Sequence, residues 1–137
     1  AMLRRNGLFV HYSSNMKSLG NTSGTCKKDG SIDGDNVRPY YSGNTRHSNY
    51  TITAGAIHNI YRGFCLFEGI GYGKYATAWQ LSESEGGKYL RNKGLSHEGF
   101  TGEVGILASV GRISFSASAI TITAKQWQAC IGIGIKL

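Results

Sequence analysis

Proline and helical periodicity are both nearly absent from this sequence. The single proline is Pro39, and no window repeats apolar residues at the i, i+3, i+4, i+7 spacing of an amphipathic helix. No apolar run approaches the length of about 18 residues that a membrane-spanning helix requires. Cysteine occurs three times, at positions 26, 65 and 130, without a metal-binding spacing. Because glycine and tyrosine are abundant, these absences favour a chain built from β-strands.

Acidic residues are also scarce. Eight Asp and Glu face fifteen Lys and Arg, which gives a formal net charge of +7. The basic residues are scattered in runs no longer than two, and no aromatic-basic motif typical of nucleic-acid binding occurs. We therefore expect no nucleic-acid partner, and the charge is explained either by anionic lipid headgroups or by an ordinary solvated surface.

Six segments alternate bulky apolar residues with small or polar ones at period two. They are 8–14, 40–56, 64–81, 100–110, 113–124 and 126–137. Short connections at 57–63, around Gly111 and at 124–126 separate some of them, and long polar stretches at 15–38 and 82–94 separate the others. Such alternation predicts an all-β domain spanning 1–137, folded as an antiparallel up-and-down meander.

Two arrangements of the faces fit this pattern. In a soluble, lipocalin-like barrel the apolar faces would line a cavity for a small apolar ligand. In a membrane barrel they would face lipid, and the small residues would fill the interior. The membrane arrangement is favoured because the side chains opposite the apolar face are so small. Examples are Ser114, Ser116, Ser118, Gly132 and Gly134. Three further features agree with the membrane arrangement: segments of about 11 residues, the two long outer loops, and an aromatic girdle.

A membrane arrangement predicts which side chains contact lipid. They are Ile52, Phe64, Leu66, Ile70, Val104, Ile106, Ile131 and Ile133. Glu68 falls on the same face and conflicts with the pattern. Either Glu68 lies near the headgroups, or a β-bulge reverses the alternation there, or the membrane interpretation is wrong.

The last strand carries a recognisable ending. Cys130, Gly132, Ile135 and Leu137 resemble the C-terminal β-signal of bacterial outer-membrane barrels, in which a polar residue and a glycine precede two hydrophobic residues. Here cysteine stands in for the polar residue and leucine for the usual phenylalanine. The resemblance implies recognition by the barrel-assembly machinery.

Motifs for chemistry are few. Asp29, Ser31 and Asp33 have calcium-loop spacing, but Tyr40 occupies the place of the closing glutamate, so a solvated turn is expected and these residues remain only a candidate site. Glu103, on the small face, is a candidate for an interior ion pair with Lys136 or Arg46, in a structural and not a catalytic role. No catalytic arrangement and no cofactor is expected, and an enzyme with an outer-loop site is the least favoured class.

A wider resemblance covers nearly the whole chain from Leu8. The residues that carry it are S13-S-N-M-K-S-L-G20, C26-K-K-D-G-S-I-D-G34, T53-A-G-A56, G69-I-G-Y-G73, W79-Q80 and the glycine-rich final strand. They resemble C-terminal barrel domains of uncharacterised Bacteroidales outer-membrane proteins. The resemblance implies a Gram-negative outer membrane, with lipid and lipopolysaccharide as partners. Because single-chain barrels have at least about eight strands, we expect an N-terminally truncated fragment, completed by missing strands or another chain.

Overall fold

The fold consists of eight strands in chain order. The structure, a computed structural model, describes residues 2–3, 6–20, 22–32, 34 and 37–135. Its strands are β1 (Met2–Leu3), β2 (Asn6–Ser14), β3 (Thr22–Cys26), β4 (Tyr41–Tyr61), β5 (Phe64–Leu81), β6 (Tyr89–Val110), β7 (Ile113–Ile122) and β8 (Gln126–Ile135). One turn of 3-10 helix covers Glu83–Glu85. No helix in the described ranges is long and apolar enough to cross a membrane.

Neighbouring strands in the sheet follow the chain. The order is β1-β2-β4-β5-β6-β7-β8, and β3 lies off this path, parallel to β6. The predicted all-β meander is therefore confirmed, and its six segments correspond to β2, β4, β5, β6, β7 and β8. Among the described residues no ladder joins β8 to β1 or β2, so the sheet is not closed into a barrel.

Several connections are shorter than the sequence predicted. β4 continues to Tyr61, so the predicted connection 57–63 shrinks to a turn at 62–63. β6 begins at Tyr89, inside the predicted loop 82–94, and β3 lies inside the predicted loop 15–38. These predictions were wrong because polar residues occupy both faces of the strands there, which removes the apolar period. β7 ends at Ile122, before Ala124, whose positive φ of 56° belongs to a turn.

The chain divides into two compact units, to which β4, β5 and β6 all contribute. Unit 1 comprises residues 1–13, 51–73 and 99–137, and unit 2 comprises residues 14–50 and 74–98. Each unit has its own set of buried side chains, and the two sets differ in their residue types.

Unit 2 has a small conventional core. It consists of Cys26, Leu81 and Leu90, with Ile32 and Tyr41 packed against them. The Tyr41 hydroxyl donates to the Gly30 carbonyl oxygen at 2.5 Å, and its ring packs edge-on against Trp79 at 5.4 Å between centroids. Burial raises the pKa of the Cys26 thiol. This core ties β3 and its following turn to the adjoining strands.

In unit 1 the strand register separates small from bulky residues. Ser116 pairs with Gly132 and Ser118 with Cys130, whereas Ala117, on the opposite face, pairs with Ile131. Small side chains of β7 and β8 therefore share one face of the sheet, as the alternation predicted, and most of the apolar ones share the other. The exceptions are Ile120 and Ile122, which follow the serines on the inner face of β7 and are fully buried.

Aromatic rings fill the space that inner-face glycines leave. A Cβ built on Gly105 would lie 2.4 Å from Cζ of Phe67, and one on Gly69 would lie 2.7 Å from Cζ of Phe9. The two rings contact each other edge-to-face, with centroids 5.1 Å apart. Glycine at these two positions is therefore required by close packing.

We predict that Gly105→Ala destabilises the fold, because the new methyl group displaces the Phe67 ring. The expected loss in unfolding free energy is about 1–3 kcal/mol, measured by urea unfolding followed by circular dichroism. Gly134→Ala is the matched control, since a Cβ there meets nothing within 4 Å. Adding Phe67→Leu should recover part of the loss. Equal stability of Gly105→Ala and Gly134→Ala would contradict the packing argument.

Candidate functional site

Most of the large apolar side chains of unit 1 lie on the exposed face of its sheet. Ile131 is 91% exposed and Ile133 is 78% exposed. Among the described residues, 23 large apolar side chains are exposed, and 19 of them belong to unit 1. Soluble monomers rarely expose such extensive apolar surface, and this concentration distinguishes unit 1 from unit 2.

The side chains predicted to face lipid are on this surface. Ile52, Phe64, Ile70, Val104, Ile106, Ile131 and Ile133 are exposed, and Leu66 is half-buried. None of the eight belongs to a buried core, so the structure places the apolar face outward.

Charge is almost excluded from this outer face. On the described strand segments of unit 1, Glu68 and His58 are the charged or histidine side chains that point outward, and Glu68 Oε1 lies 3.6 Å from His58 Nε2. The cations Arg62, Arg112 and Lys125 lie in turns. Phe67 is buried and Glu68 exposed, so the alternation is not reversed and the β-bulge explanation is wrong.

The inner face of unit 1 carries buried polar side chains beside Phe67, Ile120 and Ile122, which are also buried. Thr51, Thr53 and Thr101 are at most 1% exposed, and Glu103 is 4% exposed. His11 Nδ1 lies 2.8 Å from Glu103 Oε1, and the Thr53 hydroxyl donates to Glu103 Oε2. Each carboxylate oxygen thus has a hydrogen-bond partner, which offsets the large penalty for burying a charge.

These contacts require the sheet of unit 1 to be curled. Glu103 belongs to β6, whereas His11 belongs to β2 and Thr53 to β4, and neither β2 nor β4 is adjacent to β6 in the sheet. The first and last long strands also approach each other, since Ser13 Oγ lies 3.7 Å from Cys130 Sγ. The curl therefore encloses the polar face and leaves the apolar face outside.

Beside the Glu103 cluster lies a hollow of about 160 Å³. Its lining includes Phe9, His11, Glu103, Ser118 and Cys130. This volume is smaller than the roughly 300–1,000 Å³ of typical ligand pockets, and it holds about five water molecules at about 30 Å³ each. The interior can accommodate water or a very small polar guest.

Other predicted site residues do not join this cluster. Lys136, Leu137 and Asp33 lie outside the described residues. Of the C-terminal β-signal, Cys130 and Gly132 are on the small face of β8, and Ile135 is on the exposed face.

The candidate calcium loop uses its carboxylate locally. Asp29 accepts hydrogen bonds from the Ser31 hydroxyl at 2.8 Å and from the Ser31 amide at 3.1 Å, and these hold the pKa of Asp29 below its usual range. Within the described ranges, no three His, Cys, Asp or Glu side chains form a group that could hold a metal ion. Asp29 thus stabilises its own turn.

Sequence analysis missed the partners of Glu103. Period-two alternation does place His11 and Thr53 on the same face as Glu103, so their common environment could have been identified. Which side chains meet across the interior depends on the curl and stagger of non-adjacent strands, and a single sequence does not encode these directly.

We predict that Glu103→Ala costs about 3 kcal/mol of unfolding free energy, because it leaves the buried Thr53 hydroxyl and the His11 nitrogen without their acceptor. Glu68→Ala removes a carboxylate from the exposed face and is the control, with no expected destabilisation. Urea unfolding in lipid vesicles measures both. If the two variants lose the same stability, the interior cluster contributes nothing specific.

Comparison with known proteins gives no relative for this chain. No protein-family model, curated protein or solved structure matches it.

Proposed function

We propose that the chain is a β-barrel component of a bacterial outer membrane, with a structural or surface-interaction role and no catalysis. The observation that carries the proposal is the arrangement of unit 1, in which most bulky apolar side chains are exposed, whereas three threonines and a hydrogen-bonded glutamate are buried beside Phe67, Ile120 and Ile122. A membrane barrel has this arrangement because lipid surrounds it and its interior is polar.

Energetics support an apolar surrounding for unit 1. Transferring one exposed Leu, Ile, Val or Phe side chain out of water is worth about 1.5–3 kcal/mol. With 15 exposed residues of these four types, unit 1 in water would associate or aggregate. In a bilayer the same side chains would contact acyl chains. Glu68 is the exception, and its partner His58 reduces the penalty for placing a carboxylate near the headgroups.

The alternative, a soluble carrier with a lipocalin-like cavity, is less well supported. A carrier needs its apolar residues to line a cavity, whereas Ile131 and Ile133 are almost fully exposed. The interior hollow beside Glu103 is small and partly polar. We therefore keep the membrane barrel as the proposed function.

In this proposal unit 2 meets water and headgroups. Only four of its large apolar side chains are exposed, and it carries nine of the basic residues. Those in its loops and strand ends include Lys27, Lys28, Lys88, Arg91 and Lys93. Anionic lipopolysaccharide is the partner that such a surface would attract in an outer membrane.

The open sheet implies a further strand. Unpaired backbone groups at a strand edge are not tolerated in hydrocarbon, because each costs several kcal/mol. Among the described residues, β2 and β8 are not joined by a ladder. We propose that an additional segment or another chain pairs with these edges in the membrane. We also propose that the barrel-assembly machinery assembles the protein there.

The two tryptophans test the proposal, because Trp127 belongs to unit 1 and Trp79 to unit 2. Trp127 is 64% exposed on the apolar face. In vesicles of brominated phosphatidylcholine, the Trp79→Phe variant, which retains Trp127, should lose most of its fluorescence. The Trp127→Phe variant, which retains Trp79, is the matched control and should be quenched much less.

A different result would count against a membrane role. If the chain is folded and monomeric in detergent-free buffer, and Trp127 is quenched no more than Trp79, the apolar face does not contact lipid and the carrier alternative gains support.

A further inference from the structure

A groove on unit 2 is lined by hydrogen-bond donors and contains no carboxylate. Its volume is about 670 Å³, and its lining residues are Asn15, Lys17, Ser18, Thr45, Arg46 and His47. Two of these are permanent cations. No described carboxylate forms an ion pair with Lys17 or Arg46. The groove therefore presents positive charge that the described acidic side chains do not neutralise.

One wall of the groove is a loop held in a fixed conformation. The Asn15 amide donates to Asn49 Oδ1 at 3.0 Å, and the Asn49 amide donates to Asn15 Oδ1 at 3.2 Å. Asn15 Nδ2 also donates to the His47 carbonyl oxygen at 3.0 Å. These bonds attach the loop to β4, so Lys17 and Ser18 are presented from a backbone that is already ordered.

The Arg46 guanidinium is held in place without an anion. Its Cζ lies 4.0 Å from the centroid of the Tyr89 ring, a cation–π contact. On another side is Gly20, with φ of +67°, where a Cβ would lie 3.2 Å from Arg46 Nη1. Arg46 is thus oriented by an aromatic ring and by loop backbone, and its donor groups are not occupied by an acidic partner.

His47 can supply a third donor. Its Nδ1 lies 3.0 Å from the Tyr75 hydroxyl and 3.1 Å from Thr77 Oγ1, and its ring stacks on Tyr75. When a hydroxyl donates to Nδ1, the proton of the neutral ring is on Nε2. Nε2 is then available as a donor to a bound anion.

We propose that this groove binds a phosphate monoester group. A dianionic phosphate matches two permanent cations in charge, and its tetrahedral oxygens can accept from guanidinium, ammonium, imidazole and hydroxyl donors together. The volume leaves room for an attached sugar. The phosphate is carried either by a glycolipid headgroup or by a soluble phosphate ester. The proposal depends on the donors of unit 2 and not on the membrane role of unit 1.

The test uses the full chain refolded in uncharged detergent micelles. Inorganic phosphate is titrated, with chloride at matched ionic strength as the reference, and the amide NMR shifts of residues 15–20 and 45–47 are followed. We expect a saturable shift with phosphate only. Arg46→Gln and Lys17→Gln should each raise the Kd about tenfold, the factor that one charge-assisted hydrogen bond supplies.

Lys88→Gln is the matched control, because it removes one exposed cation of unit 2 that does not line the groove. Its Kd should stay within about twofold of that of the parent chain, as expected for a surface charge outside the site. An equal loss of phosphate affinity in Lys88→Gln would show attraction by net charge alone and would overturn the proposal. The absence of a saturable shift would also overturn it.

Micelles doped with phosphatidic acid, a monoester, or phosphatidylglycerol, a diester, distinguish the two sources. Larger shifts with phosphatidic acid than with the same concentration of inorganic phosphate indicate a lipid headgroup, and equal shifts indicate a soluble ester. Unit 1 is not involved in phosphate binding. Phosphate binding can therefore fail while Trp127 is quenched, and phosphate can bind while Trp127 is not quenched, so failure of the groove proposal is distinguishable from failure of the membrane proposal.

Discussion

The constraint on which unit 1 depends is the limited space on the inner face of its curled sheet. Side chains from β2, β4, β5 and β6 converge there, so most inner positions must be small. Where a ring does enter, a glycine on a facing strand makes room for it, as Gly105 does for Phe67. Where a charge enters, both oxygens of Glu103 have hydrogen-bond partners. Few bulky apolar side chains fit on this face (Phe67, Ile120 and Ile122 are among them), and most of the others lie on the opposite, exposed face.

Much of this arrangement could be predicted because alternation at period two is a local property. The positions of the main strands and the faces of β7 and β8 follow from residue order alone. The outward direction of Ile131 and Ile133 was the favoured one of two arrangements, because the residues between them are so small. The pairing of Glu103 with His11 and Thr53 does not follow, because it depends on which strands meet across the curl. Alternation predicts the face of the sheet on which a side chain lies. It does not predict which side chain of another strand it contacts.

Unit 2 was harder to predict for a related reason. The sequence analysis treated 82–94 and 15–38 as loops, yet they contain the start of β6 and all of β3. Strands with polar residues on both faces have no apolar period, and their stability comes instead from specific contacts, such as the packing of Leu90 against Cys26. The donor groove escaped sequence analysis as well, because Lys17, Arg46 and Tyr89 are distant along the chain and none belongs to a motif.

The seam between β2 and β8 has a mechanical consequence. Ser13 and Cys130 touch there, but no described ladder of backbone hydrogen bonds crosses it. Separating these two strands breaks only side-chain contacts, whereas separating β7 from β8 breaks a ladder that pairs ten residues with ten. The seam is therefore the line along which the sheet of unit 1 yields first. An incoming strand could enter it without separating β2 from β4 or β7 from β8, although β1 already pairs with Asn6 and Gly7 of β2.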